Sequence, residues 1–353
     1  MVSKKSKGFE GLKQEIIVRN LCTYCGACAS FCEHIGLELD ATREVPILKD
    51  ECPLDKEGVL KCSENGTCYD VCPMTETDRE GLEKKFLYSE GVEERDEYLG
   101  IYKELIAGKT VIEGQDGGIV TTMLTAGMGN ELFDCVIVAN REDGFNASAK
   151  IAEQVDEIEK AKGTKYVQCP MVSKIGEAVK SGKRKIAVVG TPCEIRAVRK
   201  IQSVLLKDVP QIEITAIGLF CFESFYHDKL VKKTKELLGV DLASTSKIQI
   251  TKGKYVVTAD GKTYKTKVAE LDEAVRENCR YCDDFAAWLA DISVGSVGSA
   301  DGYSTIIVRS ERGEKLLDLI DFSRDDADKE EISKAVKLKH EKFETAVGAG
   351  VGG

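Results

Sequence analysis

At 353 residues and 42% apolar content, the chain can bury a sizeable core and form two or three domains, which excludes a small stapled module. Its net charge of −10 argues against sequence-independent binding of nucleic acid, which relies on a basic face. The fourteen cysteines are sparser than in a disulfide scaffold and grouped in metal-binding spacings, which points to a reducing, anaerobic cytoplasm.

The N-terminus, MVSKKSKGFEGLKQEI, lacks the apolar core of a signal peptide. Even the apolar stretch Ile217 to Phe222 falls far below the roughly 20 residues that span a bilayer. The expectation is a soluble protein, or a peripheral subunit of a membrane complex, with no transmembrane segment of its own.

Residues 1–76 carry two cysteine groups. Cys22, Cys25, Cys28 and Cys32 form C-x2-C-x2-C-x3-C, and Cys72 closes a second group as C-x3-C-P. This is the sequence form of a ferredoxin-like module with two [4Fe–4S] clusters, in which the fourth cysteine of each run crosses over to the other cluster. Cys22, Cys25 and Cys28 would then share one cluster with Cys72, leaving Cys32 with Cys52, Cys62 and Cys68. The second group is stretched, and Glu33 follows Cys32 where proline is common. One cluster beside a metal-free loop, disulfides, or zinc are the competing readings. Zinc takes four ligands per site and gives no reason for the compact triple.

Thr75 to Gly100 reads as a charged connector, so a linker is assigned to residues 77–100. From residue 101 to 320 short β-rich runs alternate with amphipathic segments. Strands are expected at Cys135–Ala139, Ile186–Val189, Ile212–Leu219, Ser293–Val297 and Thr305–Val308. Helices are expected at Gly118–Ala126, Val172–Ser181, Glu194–Lys200 and Lys229–Leu238. The fold class is α/β with α+β elements and an at least partly parallel sheet. Ile248 to Val268 reads as a β insertion turning at Asp260-Gly261. Residues 321–353 add a helix over Glu331–Ala346 and a tail from Gly348. That tail matches G-x-G-x-x-G formally but lacks a preceding strand, and reads as a flexible end.

A third group of thiols lies in the large domain. Thr191-Pro192-Cys193-Glu194 follows an apolar strand as a helix start, with Thr191 at the N-cap and Glu194 completing a capping box. Cys193 therefore sits in the first turn, where free amides and the helix dipole favour a thiolate. Cys221 ends another strand, and Cys279-Arg280-Tyr281-Cys282 supplies a C-x2-C pair. If the two strands are parallel, their cysteines emerge at the carboxyl edge, where open α/β sheets place ligands. The count suggests a third [4Fe–4S] cluster on Cys193, Cys221, Cys279 and Cys282. Burial as small apolar residues is the competing account, and it is applied to Cys135. Cys169, in Gln168-Cys169-Pro170, reads as a free thiol in a loop.

Five blocks in this domain resemble the beta subunits of coenzyme F420-dependent hydrogenases, formate dehydrogenases and F420H2 dehydrogenases. They are Gly114-Gln115-Asp116-Gly117-Gly118, Gly190-Thr191-Pro192-Cys193, Gly218-Leu219-Phe220-Cys221, Cys279-Arg280-Tyr281-Cys282-Asp283-Asp284-Phe285, and Ala290-Asp291-Ile292-Ser293-Val294-Gly295. The resemblance spans about residues 113 to 313. It implies FAD bound in a non-Rossmann domain near a [4Fe–4S] cluster, with coenzyme F420 as the hydride-carrying substrate. Consistent with that, no G-x-G-x-x-G follows a strand here.

The glycines of residues 114–118 would let the backbone approach the flavin, with the following helix offering amides to its pyrophosphate. Lys165 and Tyr166 resemble a segment near the flavin, and Asp291 is a candidate to bond the flavin or ribose. Arg196, Arg199, Lys200, Arg276 and Arg280 are candidates to neutralise the anionic coenzyme tail. The histidines are assigned no chemistry. The ferredoxin-like module implies an outlet to a redox partner: a formate dehydrogenase or hydrogenase subunit, a respiratory complex, a heterodisulfide reductase or ferredoxin. Competing readings are an electron relay without flavin, a relative with another substrate, and a thiol–disulfide reductase using Cys169.

Overall fold

The structure is a computed structural model and describes residues 7–40, 43–50, 66–88, 95–112 and 114–350. Cys52 and Cys62 lie outside the described residues. In the N-terminal module a short helix, α1 (Gly8–Leu12), continues into a π-helical turn, Lys13–Ile17. A hairpin pairs β1 (Ile35–Asp40) with β2 (Arg43–Leu48). Phe9, Leu12, Ile16, Leu21 and Ile35 pack around Cys72 as its core.

The described part of the connector is packed on the large domain. It forms α2 (Arg79–Phe86), capped by Asp78, which accepts from the Gly81 amide at 2.9 Å. Leu82 packs on Ile195 and Ala216 of the large domain. The Arg79 guanidinium lies 3.1 Å above the Trp288 ring. Glu83, 2% exposed, pairs with Arg79 at 3.0 Å and Arg95 at 3.1 Å, so Glu83 and Arg79 turn inward while Glu80, Lys84 and Lys85 stay exposed.

The large domain is built on strands β3 (Glu104–Lys109), β4 (Cys135–Arg141), β5 (Ala147–Ala152), β6 (Lys185–Gly190) and β7 (Glu213–Leu219). A separate antiparallel sheet follows, β8 (Thr245–Thr251), β9 (Lys254–Ala259) and β10 (Lys262–Lys267). The main sheet is completed by β11 (Ile292–Gly295), β12 (Ser304–Val308) and β13 (Ser323–Asp325). Its order is β13-β3-β12-β11-β7-β6-β4-β5, an eight-stranded mixed sheet. The central four, β11, β7, β6 and β4, are parallel, and β5, β12, β3 and β13 run antiparallel to their neighbours.

Helices α3 (Ile119–Gly129), α4 (Val155–Lys160), α5 (Lys174–Lys180), α6 (Pro192–Val204), α7 (His227–Leu238), α8 (Glu277–Arg280), α9 (Glu311–Leu317) and α10 (Lys329–Gly350) complete the fold. Strand alternation sorts the core into two layers. Cys135 and Ile137 of β4 pack with Ile175 of α5 and Val198 and Ile201 of α6. Val136 and Val138 face Met123 of α3, Ile158 of α4 and Leu316 of α9.

The expected β insertion is present with a third strand, β8. Its turns place Lys252-Gly253 and Asp260-Gly261 at positive φ, the type I′ geometry suited to two-residue hairpins. The C-terminal segment is not a separate tail. β13 pairs with β3, and α10 runs on through Gly350 where a flexible end is expected from Gly348. Ile332 and Val336, both fully buried, seat α10 on Leu99, Phe285 and Trp288.

The N-terminal module is docked on the large domain. The Val172 amide donates to the Cys25 carbonyl at 2.9 Å, and the Gly176 amide to Ser30 Oγ at 3.0 Å. A Cβ at Gly176 would collide with the Ser30 carbonyl, so only glycine permits this approach. Lys200 of α6 donates from Nζ to the carbonyls of Cys72 at 2.6 Å and Glu76 at 3.0 Å, and to Thr75 Oγ1 at 2.8 Å.

Candidate redox site

The large-domain thiols are placed by the sheet. Gly190 of β6 is in register with Gly218 of β7, and the two strands are parallel. Cys193 and Cys221 each follow three residues later, so both leave the carboxyl edge side by side. Thr191 caps α6 with the expected capping box: its backbone amide and Oγ1 both donate to Glu194 Oε2, at 2.7 and 2.9 Å. Thr191 Oγ1 also lies 3.3 Å from Cys193 Sγ. Cys279 on α8 receives a hydrogen bond from the Ser224 amide at 3.4 Å. Cys282 follows at the end of that loop, its thiol 3.6 Å from the Asp284 carbonyl.

These four thiols act on one another electrostatically. Burial pushes Cys193 well above its ordinary value, reinforced by Glu194, Cys282 and Cys221. Burial likewise raises Cys221 and Cys282, against the opposing charge of Lys339. Burial pushes the Glu194 carboxyl up to about 7. Such thiols stay protonated unless a cationic centre takes their charge, which is what an iron–sulfur core supplies. Among the described residues no group of three or more His, Cys, Asp or Glu converges to hold a single metal ion. A tetrahedral zinc needs sulfurs about 3.8 Å apart, from its bond length of about 2.3 Å, whereas a cluster presents four irons to more widely spaced thiolates.

In the N-terminal module, burial raises Cys25, Cys28 and Cys72. Cys72 is the strongest thiol neighbour of Cys25, and Cys22, Cys25, Cys72 and Cys68 all act on Cys28. Cys22, Cys25, Cys28 and Cys72, the expected ligands of one cluster, thus lie near one another. Cys28, Cys32 and Cys68 line one cavity with Ala27, Gly66 and Val71. The Tyr24 amide donates to Cys22 Sγ at 3.3 Å.

The glycine block and the Lys165 segment meet at β8. Gln115 Nε2 donates to the Ile248 carbonyl at 3.1 Å, and the Ile250 amide donates to the Tyr166 hydroxyl at 2.9 Å. Burial raises Asp116 and pushes Tyr166 up to about 12. Lys165 donates to the Ala161 carbonyl, and its burial lowers it to about 8. The same segment reaches the thiols, because the Phe225 amide donates to the Tyr166 carbonyl at 2.9 Å and Ser224 bonds Cys279.

Several expected contacts are taken by the chain itself. Cβ atoms at Gly117 and Gly118 would strike the carbonyls of Gly108 and Ile112, so these glycines are explained by internal packing. Asp291 is fully buried. It accepts from the Ala216 amide at 2.7 Å and Ser310 Oγ at 2.7 Å, and Oδ2 lies 3.0 Å from Arg199 Nη2 as an ion pair without hydrogen-bond alignment. Asp291 therefore faces the interior rather than a flavin or ribose, and so does Arg199, whose Nε holds the Leu289 carbonyl. Lys200 serves the module junction. Arg276, 1% exposed, reaches the Cys22 carbonyl at 3.4 Å. Arg196 is paired with Asp283 at 2.8 Å and Arg280 with Asp272 at 2.8 Å. Cys169 lies, as expected, in an irregular segment and forms no disulfide among the described residues, but it is buried in the core beside Cys25 and Met171. Sequence reading overlooked Lys339. Its spacing from Ile332 and Val336 places it on the buried stripe of α10, the one signal that could have found it.

A mixed sheet with cysteines gathered at its carboxyl edge is the frame of an α/β redox subunit. Residues 107–175 and 183–331 match the N-terminal and C-terminal parts of the coenzyme F420 hydrogenase/dehydrogenase beta subunit. The chain belongs to this family, which implies F420-dependent redox electron transfer. It is 30% identical over 309 residues to one of the subunits of the F420H2 dehydrogenase of Methanosarcina mazei, covering 87% of this chain and 84% of that one. It is 31% identical to the coenzyme F420-dependent sulfite reductase of Methanocaldococcus jannaschii, over 96% of this chain but 52% of that one. A chain of the F420-reducing [NiFe] hydrogenase complex from Methanosarcina barkeri superposes with a TM-score of 0.69 and 30% identity, over 73% of this chain and 95% of that one. Among the described residues no helix is long and apolar enough to cross a membrane.

Proposed function

We propose that the chain exchanges a hydride with coenzyme F420 through a bound FAD and passes single electrons through three [4Fe–4S] clusters to a partner redox protein or subunit. FAD supplies the conversion between hydride pairs and the single electrons that clusters accept. The observation that carries the reading is the short path Tyr166–Phe225–Ser224–Cys279. Only two residues, Phe225 and Ser224, separate the candidate flavin segment from a thiol of the large-domain group.

Cys193, Cys221, Cys279 and Cys282 would hold the third cluster, and Cys22, Cys25, Cys28, Cys32, Cys52, Cys62, Cys68 and Cys72 the other two. The Ser224 and Tyr24 amides donate to sulfur, a bond that bears on cluster potential. Tyr166 accepts from Ile250 and keeps its own proton to donate to a ring or ribose oxygen. Lys165, bonded to main-chain carbonyls, carries the positive charge suited to an anionic group. Gln115 and Asp116 flank this region, and Thr191 stands beside Cys193. Orientation and exclusion of water, rather than acid–base work, are the protein's task.

The packing of Gly117 and Gly118 against their own chain removes them as an argument for flavin, so an electron relay without flavin stays the second reading. Anaerobic purification with iron, sulfide and flavin quantified decides between them. About twelve irons and one FAD per chain, with absorption bleached by reduced F420 but not by NADH or NADPH, supports the oxidoreductase. Iron without flavin, or no response to the deazaflavin, overturns it.

A further inference from the structure

α10 brings a lysine into the large-domain thiol group from beyond residue 331, where the match to the family's C-terminal part ends. Lys339 follows Ile332 and Val336 on the buried face and is 2% exposed. Its Nζ donates to the carbonyls of Phe222 and of Cys221, the latter at 3.3 Å. α10 also packs beside α8, which carries Cys279. All four thiols, Cys282, Cys221, Cys279 and Cys193, are among the charges that act on Lys339.

The other buried charges nearby are matched. Arg196 is paired with Asp283, Asp284 sits under the influence of Arg196, Arg79 and Arg309, and Glu194 is held by Thr191. Among the described residues Lys339 has no carboxylate within ion-pair distance, and its nitrogen is bonded to main-chain carbonyls. Burying an ammonium among four thiols is costly unless they carry negative charge.

We propose that Lys339 is a positioning residue for the third cluster, a fixed positive charge that favours its one-electron-reduced state and raises its reduction potential. This rests on the three-cluster reading above. Reduction adds one electron and makes the cluster with its four thiolates one unit more negative, with no bond made or broken. A cation beside it stabilises the more negative state, and in the low dielectric of a buried site that preference is large.

The test is a potentiometric titration of the full-length holoprotein, followed by electron paramagnetic resonance and accompanied by iron analysis. Lys339→Met is expected to keep about twelve irons while the third cluster becomes at least tenfold harder to reduce, 59 mV for one electron. The N-terminal clusters should not move, and Lys339→Arg should titrate close to the unsubstituted protein. A Lys339→Met protein with full iron and an unmoved potential overturns the assignment. Should Met and Lys339→Gln both lose the third cluster while Arg retains it, the charge acts in assembly and the tuning role is overturned. Eight irons in the unsubstituted protein would overturn the three-cluster reading itself, and this assignment with it. Lys342→Met, which removes a partly exposed partner of Glu223 on the same helix, is the control and should leave the potential unchanged.

Discussion

Asp291 separates a structural from a ligand-binding account of the strand entrance at β11. Asn at this position keeps the shape but removes the charge, and presents an amide donor to the Ala216 amide or to Arg199. The buried Arg199 guanidinium, 3.0 Å from Oδ2 with both side chains fully buried, is left uncompensated. Breaking one side of such a pair costs about 3–5 kcal/mol. With an unfolding entropy of about 2.1 cal/mol/K per residue, a chain of this length loses about 1.3 °C per kcal/mol, so the melting temperature should fall by roughly 4–7 °C. Differential scanning calorimetry of the holoprotein, alongside flavin content, provides the assay. The structural account expects a lower melting temperature and an unchanged flavin stoichiometry in whatever protein remains folded. An unchanged melting temperature with loss of flavin would refute it and return Asp291 to the ligand.

Gly117→Ala should cost about 1–3 kcal/mol by overpacking against Gly108 and Ser304; a variant of unchanged melting temperature that loses flavin would instead turn this glycine toward the cofactor. Lys200→Met removes the donor shared by Cys72, Thr75 and Glu76, and should loosen the docked module by about 1–3 kcal/mol. Hydrogen exchange of the amides of Val172 and Gly176 should accelerate, and unchanged protection would contradict the clamp. Lys165, lowered to about 8 by burial from 10.5, binds fewer protons folded than unfolded between those values, so stability should rise with pH through that window. Lys165→Met removes this rise and should be more stable at pH 7 by about 1–3 kcal/mol. Equal slopes of melting temperature against pH in the two proteins would rule out the buried cation.

The parallel strands and their cysteines were legible because each signal was local. The apolar run Ile186–Gly190 ends in Thr-Pro-Cys-Glu, whose capping box needs no distant residue, and the helix begins where those residues require. β3, β5 and β13 carry little apolar alternation, since they lie toward the sheet edges and are held by their neighbours' backbones; ELIAGK, ASAKIA and SRD give no such pattern. The connector misled for a related reason. Arg79 and Glu83 look solvated until Trp288 and Arg95 are placed against them, and Trp288 is supplied by a remote part of the chain. The pairing of Asp291 with Arg199 was not legible, because a buried ion pair and two surface charges are the same letters in a sequence. The compact spacing of Cys22, Cys25 and Cys28 marks one locality in the sequence, whereas the stretched Cys52 and Cys62 segment lies outside the described residues.

Helix α6 serves two sites at once. Cys193 sits in its first turn and Lys200, which grips the carbonyl of Cys72, comes seven residues later, about 10 Å along the helix axis. On the proposed electron path, the gap between the large-domain thiols and the N-terminal module would be set by a rigid rod. A hinge between the two would make transfer vary with each swing of the module. With a helix as the ruler, the rate on that proposed path would be written into the covalent spacing of two residues, and inserting one residue between them would change it.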